Sequence, residues 1–316
     1  MANYVKVATF GFSPAKLTEK PEGMSIVDYE IAYLDSKIKP VLAEKPDLIL
    51  LPEYCDRPMD IDRKIVYDYF LNERGDKVLN YLKGIARDNN CYVAYSSWAC
   101  AKDTYGRNAI RMIDRKGEVI GQYNKNYMVK SEPDPEEFRC KTGRDAVIFD
   151  CDFGRVGGLI CFDLNFEELR LRYKALRPDL MLFSANFGGG LMQNFYAFDT
   201  KSYFVGACAY NHLTRMIDPL GNEICRRSVY SDSLIATLDL DYVVVHLDYN
   251  EEKFARAKAK YGEKLIIDPV GDTGQVIITY KGTDTTAREI VKEFEIPDIF
   301  EYLQWGADFR AENLED

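Results

Sequence analysis

Histidine is almost absent from this chain of 316 residues, which contains only His212 and His246. Neither histidine lies near a pair of cysteines or in a His-Glu-x-x-His pattern, so a zinc site of the usual ligand spacing is difficult to build. Histidine is also the usual base beside a thiol nucleophile. Its scarcity disfavours metal catalysis, and any nucleophile in this chain needs a different base.

Long hydrophobic runs and a leader-type N-terminus are also missing. A membrane-spanning helix needs about 18 apolar residues in a row, whereas the apolar runs here, such as 48–51 and 242–245, have the length of strands. The first residues, Met-Ala-Asn-Tyr-Val-Lys, contain no basic flank followed by an apolar segment. We expect a soluble, cytoplasmic protein that does not associate with a membrane.

Positive charge is not in excess. Lys and Arg number 41 against 51 Asp and Glu, a net charge of −10, and no basic run is long enough to bind phosphate backbones. Nucleic acid is therefore not an expected partner. The eight cysteines form no Cys-x-x-Cys pair, and a chain of this size does not need disulfides for its core. Reduced thiols are the expectation.

Short strand-like runs alternate with longer helical stretches through the first two thirds of the chain, which is typical of a layered α/β domain. The predicted strands are 5–10, 47–52, 91–98, 108–113, 119–123, 147–151, 155–161, 180–185, 204–210, 214–217 and 234–238. Helices are predicted over 25–38, about 78–86 and 166–176, where Asn165 and Glu168 resemble a capping box.

The pattern changes near Asn250. A charged helix over 251–261 is followed by two short strand-like runs and a final amphipathic stretch. We interpret residues 1–249 as one domain. Residues 250–316 are then a C-terminal extension, which is part of the same domain or of an oligomer interface.

One cysteine occupies a position that favours chemistry. The segment Gly-Gly-Leu-Ile-Cys-Phe-Asp, residues 157–163, ends a buried strand and begins a helix at Cys161. At a helix N-terminus the dipole and the free backbone N–H groups stabilise a thiolate and can receive a developing oxyanion. The N–H of Phe162 is then the natural oxyanion donor. A small buried core thiol is the ordinary alternative, and we expect it for the other cysteines.

Glu53 and Lys125 can supply a base and a positive charge. Each follows a predicted strand, and in open α/β sheets the carboxyl ends of the strands form the crevice in which ligands bind. Partial burial raises the pKa of a glutamate toward the working range of a general base. The lysine would hold the glutamate ionised and stabilise a negative tetrahedral intermediate. Taken singly, each residue type is more often a solvated surface side chain.

Together, these three residues and their surroundings resemble the nitrilase superfamily of carbon–nitrogen hydrolases, whose members carry a Glu-Lys-Cys triad in this order at strand ends. The motifs are Leu-Leu-Pro-Glu-Tyr around Glu53, Gly-Gln-Tyr-Asn-Lys-Asn-Tyr around Lys125 and Gly-Gly-Leu-Ile-Cys-Phe-Asp around Cys161. The resemblance covers roughly residues 4–240. It departs at Asn126, where histidine is common, and at 198–201, so the substrate stays open.

The resemblance implies hydrolysis through a covalent acyl enzyme, without a metal or an organic cofactor. Glu53 takes the proton of Cys161, and the thiolate attacks the carbon of an amide, an N-carbamoyl compound or, less favoured, a nitrile. Lys125 and the N–H of Phe162 stabilise the tetrahedral species. Ammonia or an amine leaves, and a water activated by Glu53 hydrolyses the thioester.

Many members position the lysine with a second glutamate in the loop that follows it, seven residues before a glycine. Glu136 lies seven residues before Gly143 and is the predicted residue. Glu132 and Glu137 are close enough in the sequence to take that place.

The predicted substrate-binding residues lie beside strand ends and are Tyr54, Phe162, Asn165, Asn186 and Phe187. Core packing is the ordinary alternative for the aromatic ones. The expected ligand is a small-molecule amide or N-carbamoyl compound, and the sequence does not choose between the two classes.

The resemblance also implies the fold, which in this superfamily is a four-layer α-β-β-α sandwich whose protomers pair through helices. We therefore expect that sandwich with a C-terminal extension, in a homodimer or a larger homo-oligomer.

Two other functions remain possible from the sequence. A thiol acyltransferase would use the same acyl enzyme with an amine as acceptor, and a non-catalytic member would keep the fold as a binding module, although an intact triad argues against the latter.

Overall fold

The computed structural model describes residues 3–100, 106–130, 132, 140–268 and 273–314. Within this part of the chain the strands are β1 (Tyr4–Phe10), β2 (Leu48–Leu50), β3 (Tyr92–Cys100), β4 (Gly106–Ile113), β5 (Val119–Asn124), β6 (Ile148–Cys151), β7 (Gly154–Ile160), β8 (Leu180–Ala185), β9 (Tyr203–Cys208), β10 (Arg215–Ile217), β11 (Glu223–Arg226), β12 (Ser233–Asp239), β13 (Tyr242–His246), β14 (Leu265–Ile267) and β15 (Gln275–Tyr280).

The α-helices of the same residues are α1 (Ile26–Leu42), α2 (Arg63–Asp68), α3 (Lys77–Asp88), α4 (Glu167–Leu176), α5 (Leu191–Thr200), α6 (Glu251–Tyr261), α7 (Ala287–Glu293) and α8 (Ile299–Glu312). A π-helical segment, Tyr69–Arg74, continues α2, and a short 3₁₀ turn covers Cys161–Asn165. Within the described residues, no helix combines the length and the apolar character that crossing a membrane requires.

The chain forms two compact units: Val5–Thr237, and a smaller unit that joins Met1–Tyr4 to Leu238–Asp316. Two six-stranded sheets form the larger unit. The first has the order β12-β1-β2-β3-β4-β5, in which β1, β2 and β3 are parallel. The second has the order β11-β10-β9-β8-β7-β6, in which β7, β8 and β9 are parallel.

The two sheets face each other. The hydroxyl of Thr9 in β1 donates to the carbonyl of Gly206 in β9 at 2.7 Å. The hydroxyl of Ser184 in β8 donates to the carbonyl of Leu51, just after β2, at 2.8 Å. Every residue of β8 is buried, as expected for a parallel strand that is covered on both faces.

Helices cover the outer faces of both sheets. On the first sheet, α1 and α3 bury apolar residues at helical spacing, and these join one cluster with the strands: Val27, Leu34, Ile38, Val41, Val78, Leu82 and Ala86. On the second sheet, the hydroxyl of Tyr173 in α4 donates to the carbonyl of Gly158 in β7 at 2.5 Å. The ring of Tyr196 in α5 lies 6.1 Å from that of Phe204 in β9. The predicted four-layer α-β-β-α sandwich is confirmed.

The start of α4 differs from the prediction. The helix begins at Glu167, and Phe166 provides no side-chain cap. The side-chain amide of Asn165 instead donates to the carbonyl of Phe162 at 3.1 Å. The predicted capping box of Asn165 and Glu168 is therefore wrong, because a 3₁₀ turn separates the strand from the helix and occupies the asparagine.

The smaller unit contains a three-stranded antiparallel sheet of order β13-β15-β14. Its helix α6 has the predicted bounds, 251–261. Residues of this sheet and of the helices α6 and α7 share one apolar core, which includes Val245, Phe254, Val276, Ile278 and Ile290. Strand β13 pairs with β15, although it precedes the domain boundary that the sequence suggested at residue 249.

Candidate active site

Glu53, Lys125 and Cys161 converge at strand ends that come from both sheets. Glu53 lies three residues after β2 and Lys125 directly after β5, both in the first sheet, whereas Cys161 directly follows β7 of the second sheet. The ammonium nitrogen of Lys125 lies 3.0 Å from Oε1 of Glu53. The thiol of Cys161 lies beside both residues, since the charges of Glu53 and Lys125 act on its pKa in opposite directions. The structure therefore brings the three predicted residues into one cluster.

Glu53 is held by donors on both of its oxygens. The amide Nδ2 of Asn108 in β4 donates to Oε1 at 2.8 Å, beside the contact from Lys125. The backbone N–H of Asn186, directly after β8, donates to Oε2 at 3.0 Å. Glu53 is 1% exposed, so these contacts fix the position of its carboxylate. A fixed carboxylate beside a thiol can accept its proton.

Lys125 lies between two carboxylates. Its nitrogen donates to Oε1 and Oε2 of Glu132 at 2.8 and 2.9 Å, in addition to Glu53. Burial lowers the pKa of Lys125, but the charges of Glu53 and Glu132 and the hydrogen bond to Glu132 outweigh burial and raise that pKa above its ordinary value. The residue is therefore a permanent cation beside the thiol, which suits the stabilisation of an oxyanion.

Glu132 occupies the place of a second glutamate among the described residues. Besides Lys125, it accepts from the backbone N–H of Val129 at 2.9 Å and from Asn108 at 3.2 Å. The predicted residue, Glu136, and the alternative Glu137 lie outside the described residues.

The nucleophile has a backbone conformation that the sequence did not suggest. Cys161 begins a 3₁₀ turn of five residues and has a φ of +50°, a region that costs a residue with a side chain about 1 kcal/mol or more. The pKa of the Cys161 thiol is raised, first by burial and then by the charge of Glu53, although Lys125 opposes this shift. The expectation that an α-helix N-terminus stabilises a thiolate here is therefore wrong. The resting group is a neutral thiol.

The predicted substrate-binding residues have different environments. Tyr54 is buried beside Glu53, and the guanidinium carbon of Arg57 lies 5.7 Å from its ring centroid. Asn186 contributes its backbone N–H, and its buried Oδ1 has no hydrogen-bond partner among the described residues. Exposed Asn165 uses its amide on the carbonyl of Phe162, so the structure does not bring that side chain to the cluster.

The other two predicted residues are aromatic. The ring of Phe162 packs edge-on against Phe166, with centroids 5.3 Å apart. The ring of Phe187 packs against Phe183 at 5.9 Å. Both are partly buried, so they can border a ligand while they support the surrounding turns.

Asn108 is a residue of this cluster that the sequence analysis missed. It is a fully buried amide within β4 that contacts both Glu53 and Glu132. The sequence did contain one indication of this role, namely a polar side chain at the start of an otherwise apolar strand. A polar group that is buried in such a strand needs a hydrogen-bond partner.

Comparisons with known proteins identify the family of this chain. The model of the family described as carbon-nitrogen hydrolase matches residues 17–245. A 2-oxoglutaramate amidase from Bacillus subtilis is 24% identical over 139 residues, which is 44% of this chain and 52% of that protein. A deaminated glutathione amidase from Dictyostelium discoideum is 23% identical over 202 residues, which is 55% of this chain and 69% of that protein. The match thus spans about half of the length of the Bacillus relative.

Solved structures share the fold. Nit3 from Saccharomyces cerevisiae, a member of branch 10 of the nitrilase superfamily, is similar with a TM-score of 0.60 and 18% identity, over 75% of this chain and 90% of that one. A variant of an amidase from Nesterenkonia sp. AN1, with an acetamide moiety added covalently at its active-site cysteine, is similar with a TM-score of 0.62 and 16% identity, over 81% of this chain and 96% of that one. The family match covers most of the sequence, and the chain belongs to the carbon–nitrogen hydrolase family.

Proposed function

We propose that this protein is an amidase that hydrolyses a small amide through a thioester on Cys161. The observation that carries the proposal is the cluster itself: a buried Glu53 carboxylate that lies beside the thiol of Cys161 and, at 3.0 Å, contacts the ammonium of Lys125. This arrangement supplies a nucleophile, a base and a cation without histidine.

In the first half of the reaction, Glu53 accepts the thiol proton as the sulfur of Cys161 attacks the amide carbon. The C=O bond becomes an oxyanion, which the ammonium of Lys125 and the N–H of Phe162 stabilise. The tetrahedral species then collapses, and the C–N bond breaks. Glu53 returns its proton to the nitrogen, so that ammonia leaves and a thioester stays on the enzyme.

In the second half, Glu53 takes a proton from a water that attacks the thioester carbonyl. The same cation stabilises the second oxyanion. The C–S bond then breaks, the carboxylic acid leaves, and the proton on Glu53 returns to the sulfur of Cys161. Because the raised pKa keeps this thiol protonated at rest, attack depends on a proton transfer that occurs when the substrate is in place.

The substrate we favour is an amide whose acyl part also carries a carboxylate. The relatives named for 2-oxoglutaramate and deaminated glutathione are amidases of compounds with that chemistry. In this chain, Arg57 lies over the ring of Tyr54. Arg57 and Glu53 also both act on Tyr210: burial raises the pKa of Tyr210, the charge of Arg57 lowers that pKa and the charge of Glu53 raises it. A half-buried guanidinium near the triad is a suitable partner for a substrate carboxylate.

The test is ammonia release from a panel of carboxylate-bearing ω-amides, neutral amides, N-carbamoyl amino acids and nitriles. We expect release with the first class, and a loss of about 1,000-fold or more in Cys161→Ala. Cys225→Ala is the matched control, because Cys225 is a half-buried thiol in β11, and it should keep wild-type activity.

Equal background release from wild type and Cys161→Ala would overturn the proposal in favour of a binding module. Transfer of the acyl group to an added amine, without release of the free acid, would identify an acyltransferase instead.

A further inference from the structure

The carboxylate of Asp163 connects the segment that carries the lysine to the segment that carries the nucleophile. Asp163 is 0% exposed and lies two residues after Cys161. It accepts four hydrogen bonds, which come from residues on both sides of the site. Neither the proposed acid–base chemistry nor the oxyanion site uses this group.

On the lysine side, Asp163 binds the backbone directly after Lys125. Its Oδ1 accepts from the N–H of Asn126 at 3.1 Å and from the N–H of Tyr127 at 2.8 Å. Its Oδ2 accepts from the hydroxyl of Tyr123, the penultimate residue of β5, at 2.6 Å. Three donors thus come from the residues that immediately surround the lysine.

On the nucleophile side, Oδ2 of Asp163 also accepts from the N–H of Ile160 at 3.2 Å. Ile160 is the last residue of β7 and directly precedes the strained backbone of Cys161. One side chain therefore fixes the turn of the nucleophile and, at the same time, holds the end of β5. Because β5 and β7 belong to opposite sheets, these contacts join the two sheets at the active site.

The four donors require both oxygens to act as acceptors, which is the property of an ionised carboxylate. Burial raises the pKa of Asp163 to about 7, whereas the hydrogen bonds from Tyr123 and Tyr127 and the charge of Lys125 act in the opposite direction. An amide in the same place would offer an N–H group either to Ile160 or to the pair Asn126 and Tyr127. Asparagine is therefore isosteric here but cannot keep all four contacts.

We propose that Asp163 is a positioning residue, which sets the separation between the ammonium of Lys125 and the thiol of Cys161 through the backbone of residues 125–127 and 160–161. It does not touch the substrate. The inference rests on the proposed function, since it concerns the geometry of the same reaction. A misplacement of about 1 Å at a catalytic group can lower a rate by about 100-fold.

The test compares Asp163→Asn and Tyr123→Phe with the wild type. We expect Asp163→Asn to lower kcat by about 30-fold or more, with KM changed by less than about 3-fold, because ground-state binding does not depend on this separation. Tyr123→Phe removes one of the four donors and should lower kcat by about 3- to 10-fold. Ser202→Ala, which loses a buried hydrogen bond to the carbonyl of Pro178 in the same unit, should keep wild-type kinetics.

A second readout does not depend on turnover. Alkylation of Cys161 by iodoacetamide, followed by peptide mass spectrometry, should slow by about 10-fold in Asp163→Asn, because the thiol is displaced from its base. Cys225 in the same sample should react at the wild-type rate. If the wild type hydrolyses no amide, the proposed function fails. The alkylation rate of Cys161 then decides whether Asp163 positions the thiol.

Wild-type kcat and wild-type alkylation of Cys161 in folded Asp163→Asn would overturn the inference. So would faster alkylation of both cysteines, since that result indicates a general loss of structure. If Asp163→Asn does not fold, Tyr123→Phe serves in its place, and unchanged kcat in that variant would contradict the inference.

Discussion

The ammonium nitrogen of Lys125 lies 3.0 Å from Oε1 of Glu53, and both residues are 1% exposed. This buried ion pair joins the segment that follows β2 to the segment that follows β5. Removing one partner of a buried pair leaves the other as an uncompensated charge. Loss of either partner should therefore destabilise the fold in addition to its effect on the proposed chemistry.

The first prediction follows from that contact. Lys125→Met should lower the free energy of unfolding by about 3 kcal/mol, because Glu53 and Glu132 lose their shared cation, and should lower kcat/KM by about 100-fold or more. Urea denaturation and ammonia release measure the two effects. Lys116→Met, at an exposed position, is the control. Wild-type activity in Lys125→Met would contradict the proposed oxyanion role.

A second prediction separates the candidate glutamates. Glu132→Gln keeps the size of the side chain but removes the charge that lies 2.8 Å from Lys125, so kcat should fall by about 10-fold or more. Glu136→Gln should retain near-wild-type kcat. Steady-state kinetics of both variants on the same amide distinguish the two residues, and the reverse order of effects would assign the role to Glu136.

Arg57 provides a prediction about specificity. Arg57→Met should raise KM for a carboxylate-bearing amide by about 10-fold, because the substrate loses a charge-assisted contact. KM for a neutral amide of the same length should change little. An equal rise for both substrates would show that the arginine acts on the shape of the site and not on the carboxylate.

Stability should depend on pH through Glu30, which is 0% exposed on α1 and has no hydrogen-bond partner among the described residues. Burial, followed by the charge of Asp56, raises the pKa of Glu30 to about 9 from an ordinary value of 4.5. The folded state keeps a proton that the unfolded chain releases. With respect to this group, the free energy of unfolding is therefore highest below about pH 4.5 and falls as the pH rises toward 9.

Glu30→Leu should consequently stabilise the protein by about 2 kcal/mol at pH 8 and by clearly less at pH 5. Val27, Leu34 and Ile38 on the same helix already form an apolar face, which can accept the new side chain. Urea denaturation at the two pH values measures the difference. A variant that is less stable at both pH values would indicate that the carboxyl has a partner.

The sequence allowed the convergence of Glu53, Lys125 and Cys161 to be predicted, because each of them follows a strand and strand ends collect ligands in α/β sheets. It did not indicate that Glu53 and Lys125 come from one sheet and Cys161 from the other. The contacts of Asp163 depend on that packing between sheets. Those of Asn108 reach Glu53 and Glu132, which are distant in the sequence, so no local spacing reveals either set. The positive φ of Cys161 also has no local signal, since tertiary contacts impose it.

Helices were predicted best where the apolar period was regular. In α3, Val78, Leu82 and Ala86 are buried at intervals of four residues, as the sequence indicated. The segment that forms α2 and the π-helix that follows it received no prediction. Arg74 in that π-helix is buried against Asp56 and the carbonyl of Trp98, and such a buried charge is satisfied only by partners that are distant in the sequence.

Peptide mass spectrometry after acid quench, during turnover of the best amide, tests whether Cys161 forms a covalent acyl enzyme. We expect the acyl group on the peptide that contains Cys161, its absence in Cys161→Ala, and no modification of Cys225. Continued ammonia release by Cys161→Ala, or an acyl group on another residue in its place, would contradict the account.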